Sequence, residues 1–327
     1  MNTLVSSQPE DVARIHVNDT PTLDTILAVE GLTKRYGKLT AVDGISFHVR
    51  PAETFGILGP NGAGKTTTLE MIEGLRDPDA GSITFLGMDA VLQRRRVQER
   101  IGVQLQSQAL WPELTVEETL KLFGALFQKR VPVESLLERF SLTEKRRAMV
   151  KGLSGGQKQR LSIATALVND PEVVFLDEPT TGLDPQARHS FWDLIRDMQR
   201  EGKTVIVTTH YMEEAEALCD RVAIMDRGRI MALDAPRKLV RSFASESTIE
   251  CTFPEEVNAS ALAALPGVRD TRRDDGTILL FTNDVSASLD ALIRFSDQNG
   301  RRLSSLNVRS ATLEDVFINL TGRRLRD

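Results

Sequence analysis

Gly59-Pro60-Asn61-Gly62-Ala63-Gly64-Lys65-Thr66-Thr67 is the stretch from which the rest of the chain can be read. It is a complete G-x-x-x-x-G-K-T loop, the pattern that builds a nest for nucleotide phosphates. Gly59, Gly62 and Gly64 let the backbone take left-handed angles and come close to a phosphate. Successive backbone N–H groups can then converge on the β-phosphate, and the following helix adds its positive end. Lys65 brings a point charge to the outer phosphates, Thr66 a hydroxyl for Mg²⁺, and Thr67 continues the helix start. The flanks agree: residues 53–58 read as a strand and 66–75 as a helix.

Working outward, residues 172–178 form a short apolar run of the buried parallel type that ends in acid, Asp177-Glu178. Asp177 can hold Mg²⁺ through water, and Glu178 can polarise a water for attack on a phosphate. Farther upstream of this strand lies Leu153-Ser154-Gly155-Gly156-Gln157. It is too distant to serve the nucleotide of its own loop and makes sense as a lid on a nucleotide held by another copy. Loop, acidic strand end and lid together point to an ATPase that closes two halves around ATP.

These motifs, in this order, make the chain resemble the nucleotide-binding subunits of ATP-binding cassette (ABC) transporters, and within them the exporter ATPases of the daunorubicin and multidrug-resistance type. The resemblance covers about residues 26–327. It implies further roles. Tyr36, in Lys34-Arg35-Tyr36-Gly37, matches the aromatic that stacks on adenine. Gln106 aligns with the glutamine that reaches Mg²⁺ and the attacking water and feels the membrane partner; Gln104 is the competing register. Ser154 and Gly156, with Gly155 and Gln157, resemble the donors to the opposite subunit's γ-phosphate. Thr181-Gly182-Leu183-Asp184 is a variant of the loop that crosses the dimer seam. His210, after the strand-like run 204–209, stands where the family's γ-phosphate histidine sits. His16, His48 and His189 match no motif.

Composition is compatible with this. The chain has 327 residues, 41% of them hydrophobic, and a net charge of −5, so no basic footprint calls for nucleic acid. Cys219 and Cys251 lack metal-ligand spacing and suit a reducing compartment. No apolar run approaches the roughly 20 residues that span a bilayer. Residues 1–25 are polar and acidic and read as a flexible tail without a signal pattern. The expected location is the cytoplasmic face of the membrane, with the transport path in a separate transmembrane permease and a second copy completing a head-to-tail dimer. A soluble ABC ATPase that remodels a protein complex is the alternative.

The expected fold class is α/β: a P-loop ABC ATPase core with antiparallel β and helical subdomains, plus a small α+β, ferredoxin-like C-terminal domain. Strands and helices alternate over 26–242, with 26–32 and 41–50 supplying the antiparallel part. Residues 115–151 read as mostly helical. The resemblance implies that this region and the groove beside Gln106 receive short helices of the permease. Trp111 reads either as a partly buried loop aromatic or as a contact with that permease. Phe191, Leu194, Ile195 and Met198 recur at helical spacing and predict a core face. At residue 243 the character changes. Residues 248–253, 277–281 and 303–308 read as strands, and 288–299 and 312–320 as helices. This accessory domain suits dimer contact, regulation or ligand sensing. Arg323-Arg324-Leu325-Arg326 reads as a solvated end or an anionic-lipid contact.

Overall fold

The computed structural model describes residues 25–104, 110–243, 247–254, 257–274 and 276–322. Most of the N-terminal tail, Gln106 and the Arg323–Arg326 run lie outside the described residues. The chain opens with β1 (Leu27–Tyr36), β2 (Leu39–Val49), β3 (Thr54–Leu58), α1 (Lys65–Ile72), β4 (Ala80–Phe85), β5 (Met88–Asp89), α2 (Arg94–Gln98) and β6 (Ile101–Gln104). It continues with α3 (Val116–Gly124), α4 (Val133–Arg139), α5 (Gly155–Ala166), β7 (Val173–Asp177), α6 (Pro185–Arg200), β8 (Thr204–Thr209), α7 (Met212–Leu218), β9 (Arg221–Asp226), β10 (Arg229–Asp234) and α8 (Pro236–Phe243). The last part holds β11 (Ser247–Thr252), α9 (Ala259–Ala263), β12 (Val268–Asp274), β13 (Thr277–Thr282), α10 (Val285–Gln298), β14 (Ser305–Ser310) and α11 (Leu313–Thr321).

The central sheet has the order β10-β9-β3-β8-β7-β6 and is parallel except for its β10 edge. Its middle strands are buried along their whole length, which is why their sequences are nearly continuous apolar runs. The strand period of two sends alternate residues to two cores. Val174, Leu176, Val205 and Val207 face a core built with Leu161 of α5, Ile195 of α6 and Leu239 of α8. Val173, Phe175 and Ile206 face the other, built with Leu69 and Ile72 of α1 and with the antiparallel sheet β2-β1-β4-β5. Phe47 of that sheet stacks on Phe55 of β3, with centroids 5.2 Å apart, and so joins the two sheets.

Several sequence expectations are refined. Helix α1 stops at Ile72, because the amides of Gly74 and Leu75 fold back onto the Met71 and Glu70 carbonyls. Residues 115–151 contain only α3, α4 and two 3₁₀ turns. Ion pairs from Arg146 to Glu117 and Glu134 tie the irregular chain between them. On α6, Phe191, Ile195 and Met198 are buried as expected, Trp192 joins them, and Leu194 is half-buried at the edge of the same core. Trp111 is half exposed, its ring 6.2 Å from that of Phe123.

The C-terminal part follows a β-α-β-β-α-β course with the fully antiparallel order β12-β13-β11-β14, a ferredoxin-like arrangement. One face, with Ile249, Leu280 and Ile278, packs on Leu262 of α9 and Leu292 of α10. α11 then returns toward the first part. Its Leu313, Val316 and Phe317 enter the same core as Ala215 and Leu218 of α7, while Ile318 meets Leu279 and Phe281 of β13. No helix among the described residues is long and apolar enough to cross a membrane.

Candidate nucleotide site

Three neighbouring parallel strands end at one edge of the central sheet, and that register creates the site. Leu58 of β3 pairs with Thr209 of β8, and Asp177 of β7 pairs with Thr208. The segments that follow, the 59–64 loop, Glu178 and His210, therefore emerge side by side, as expected where parallel strands end.

The loop geometry explains its glycines at two points. Gly64 has φ 103°, and a Cβ there would lie 2.4 Å from the Ala41 carbonyl oxygen. Gly59 passes so close to β9 that a Cβ would meet the Met225 carbonyl at 2.3 Å. Ala63 is buried, and its carbonyl accepts from the Gly228 amide at 2.9 Å. Asn61 and Gly62 are exposed at the tip; Pro60 closes the turn by accepting from the Ala63 amide. Lys65 opens α1 and is only 4% exposed. Its Nζ lies 2.9 Å from the Gly59 carbonyl, 3.2 Å from that of Pro60 and 3.1 Å from Glu178 Oε1.

Glu178 leaves β7 with φ 46°, a left-handed conformation that strains a side chain of its kind. Its carboxylate lies between two nitrogens: Lys65 Nζ is 3.1 Å from Oε1 and His210 Nδ1 3.2 Å from Oε2. Asp177 Oδ1 accepts from Thr66 Oγ1 at 3.4 Å and from Thr208 Oγ1. Burial raises the Asp177 pKa, and these two hydroxyls work against that rise. Thr208 has only a weak sequence signal, a polar residue inside the buried run 204–209, and its hydroxyl also accepts the Glu178 amide at 3.0 Å. Glu73, likewise unforeseen, is buried at the C-terminal end of α1. Desolvation, with Asp177 and Glu70 nearby, pushes its pKa up to about 8.

The residues present fit a nucleotide with Mg²⁺. A hydroxyl and one carboxylate, Thr66 and Asp177, meet on adjacent elements, the sparse oxygen set this cation takes beside phosphates and waters. Among the described residues no cluster of three or more His, Cys, Asp or Glu forms a denser metal cage. Tyr36 ends β1, is 40% exposed, and has Arg76 5.3 Å and Lys34 5.9 Å from its ring centroid. Thr67 follows half-buried on α1. Gln104, the competing register for Gln106, is buried in β6 opposite Leu176.

The Ser154 peptide is not brought to this edge. It opens α5 with a capping box: the Gln157 amide donates to Ser154 Oγ at 3.3 Å, and the Ser154 amide to Gln157 Oε1 at 3.0 Å. Gly155 is exposed and Gly156 half-exposed, so the helix N-terminus faces outward. It borders a cleft of about 740 Å³ shared with Arg139, Asp184 and Asp193, to which the 59–67 loop contributes nothing. Asp184 there caps α6, its Oδ1 accepting the Ala187 amide at 2.9 Å.

Known proteins share this chain's sequence pattern and fold. The ABC transporter family profile matches residues 42–181. The chain is 42% identical over 309 residues to the Nod factor export ATP-binding protein I of Ralstonia nicotianae, covering 92% of this chain and 95% of that protein. It is 44% identical to the protein of that name from Paraburkholderia xenovorans, covering 93% and 99%. Among solved structures it is similar to cbiO1 of Clostridium perfringens, part of the ABC transporter complex cbiONQ, with TM-score 0.61 and 32% identity over 67% of this chain and 92% of that one. A bacterial ABC transporter cassette solved as a dimer matches with TM-score 0.59 and 26% identity over 64% and 98%. With relatives this close over nearly their whole length, the chain belongs to the ABC transporter family, among its ATP-binding subunits, the ATPases that power transport.

Proposed function

We propose that this chain is the ATP-hydrolysing subunit of an exporter, working as a head-to-tail pair beneath a separate membrane permease and moving a lipid, drug-like or other small molecule. The observation that carries the reading is the convergence of Lys65, Glu178 and His210 at the ends of three adjacent strands. The relatives' names, which are those of Nod factor exporters, support export.

Lys65 and the 59–64 amides hold the phosphates, and Tyr36 takes the base. Thr66, Asp177 and, by family likeness, Gln106 would hold Mg²⁺, which would neutralise phosphate charge. As phosphate competes for Lys65, Glu178 is freed to orient the attacking water, and His210 holds Glu178 and the γ-phosphate in register. Catalysis of this kind is positioning and electrostatics. Ser154, Gly155 and Gly156, with Gln157 locking the turn, complete the partner copy's site across the seam at Asp184. The exposed Trp111, Leu122 and Met149 mark the face offered to the permease, so that the chain sits on the cytoplasmic side of the membrane. Residues 26–242 form the motor in this reading, and 243–327 an accessory part that supports the dimer.

Glu178→Gln tests the assignment. It should bind ATP as the wild type does and lose about 10²-fold or more in turnover, the scale of a general base. ATPase activity within a few-fold of wild type would remove Glu178 from the mechanism.

A further inference from the structure

Glu214 is a fully buried carboxylate that the proposed chemistry does not use. It lies in the first turn of α7, four residues beyond His210. The groups that meet it belong to separate parts of the site. Trp192 of α6 donates its indole N–H to Glu214 Oε1 at 3.3 Å. Burial raises the Glu214 pKa, and the hydroxyls of Thr209, which precedes His210, and Thr180, which follows Glu178 and Pro179, lie close enough to work against that rise. They do not close every bond, since Glu214 Oε2 and Thr180 Oγ1 both remain without a partner of full hydrogen-bond geometry. Arg188 of α6 acts on Glu214 by charge, and its guanidinium lies 4.4 Å from the Tyr211 ring centroid. The Tyr211 ring is in turn 4.1 Å from that of His210.

We propose that Glu214 is a positioning residue that ties the His210 turn to the start of the Thr180–Asp184 loop and to α6, so that the histidine and the dimer-seam loop hold one relative geometry. The inference rests on the proposed role of His210. Its physical basis is that a carboxylate with few neutral donors is costly to bury. An apolar side chain at this position would fill the space with less penalty. What an apolar residue could not do is accept from α6 and face both threonines at once. Two routes reach the imidazole from it: the backbone through Thr209, and the stacked Arg188 and Tyr211 through α6. Asp184 caps the same helix, so the loop at the seam shares the anchor.

The test is a double-mutant cycle on ATP turnover in the full chain, with nucleotide binding measured beside it. Glu214→Ala should lower kcat by about 10-fold or more, the scale of a misplaced catalytic group, with ATP affinity changed less than about threefold. Glu214→Gln, whose amide can still accept from Trp192, should stay within about threefold of wild type. In a His210→Ala background, Glu214→Ala should cost little more, because the group it positions is already gone. If Glu214→Ala does not fold, Trp192→Phe removes the indole donor, keeps the ring bulk and enters the same cycle. Multiplicative losses beside a His210→Ala that is itself slow would overturn the role of Glu214 and leave the proposed function standing. A His210→Ala protein with wild-type turnover would overturn both.

Discussion

The Thr208 hydroxyl donates to Asp177 Oδ1 while accepting the backbone amide of Glu178, so one side chain of β8 orients the last residue of β7 and the acid that follows it. The pairing of Asp177 with Thr208 across the parallel ladder puts it there. Because Glu178 has a left-handed backbone, the amide bond to Thr208 also helps hold a strained residue in place. Thr208→Val keeps the shape and removes the hydroxyl. Turnover is expected to fall by about 10-fold or more, with ATP affinity within a few-fold, as for a lost transition-state contact. Steady-state kinetics together with a nucleotide-binding titration would show it. An unchanged kcat would mean that Asp177 and Glu178 hold their geometry without Thr208.

The Ser154 cap borders a cleft to which the 59–67 loop contributes no residue; in the proposed head-to-tail pair each site would take its Lys65 loop from one copy and its Ser154 cap from the other. Mixing Lys65→Ala subunits with Ser154→Arg subunits should restore part of the activity that each lacks alone. One site of the mixed pair then has an intact Lys65 loop facing an intact Ser154 peptide. Activity of the mixture is compared with each parent under conditions where tagged heterodimers are isolated. No gain in isolated heterodimers would reject sharing of this kind.

Glu73 makes stability depend on pH in a defined direction. Its folded pKa is about 8 against an ordinary value of 4.5, so the folded chain keeps the proton longer than the unfolded one. The contribution is fully present below about pH 4.5 and is lost as pH rises toward 8, with a slope near 1.4 kcal/mol per pH unit for one proton. Glu73→Gln removes this titration. Its melting temperature should exceed that of the wild type increasingly from pH 6 to pH 9, and the two should converge near pH 4.5. Parallel melting curves across that range would place the Glu73 carboxyl in a more hydrated setting than its 3% exposure implies.

Much of this site was legible because its parts are contiguous in sequence. The 59–67 loop and Asp177-Glu178 carry their spacing in a few residues, and the strands that present them are apolar runs with one reading. His210 was legible only through family likeness, since one imidazole after a strand has no local signature. Thr208, Glu73 and Glu214 were hidden because each works through a partner distant in sequence: Asp177, the α1–β7 packing, and Trp192. Gln157 was legible as part of a motif, yet its local work is to cap its own helix through Ser154. In the C-terminal part, β12 escaped notice because Val268-Arg269-Asp270-Thr271-Arg272-Arg273-Asp274 is an edge strand with one strong apolar residue. α9 spans only five residues, too short for a helical stripe to repeat.

The packing of α11 makes the last prediction. Residue 243 marks a change in sequence character, and a chain shortened to end there looks reasonable from the sequence. Phe317, however, is fully buried among residues of the first part, including Leu218 and Leu239, and Glu216 Oε1 accepts the Leu313 amide at 2.6 Å. Cutting the chain at 242 would uncover the apolar faces of α7 and α8 and leave Glu216 without that donor. The truncated protein should melt well below the full chain and aggregate. Phe317→Ala in the full chain should cost about 3–5 kcal/mol, the range for emptying a buried phenylalanine site. Urea unfolding followed by far-UV circular dichroism measures both. Since α7 follows His210 directly, the Phe317→Ala protein should also lose ATP turnover at temperatures where it remains folded. A truncated chain as stable and as active as the full one would show that α11 decorates the core without supporting it.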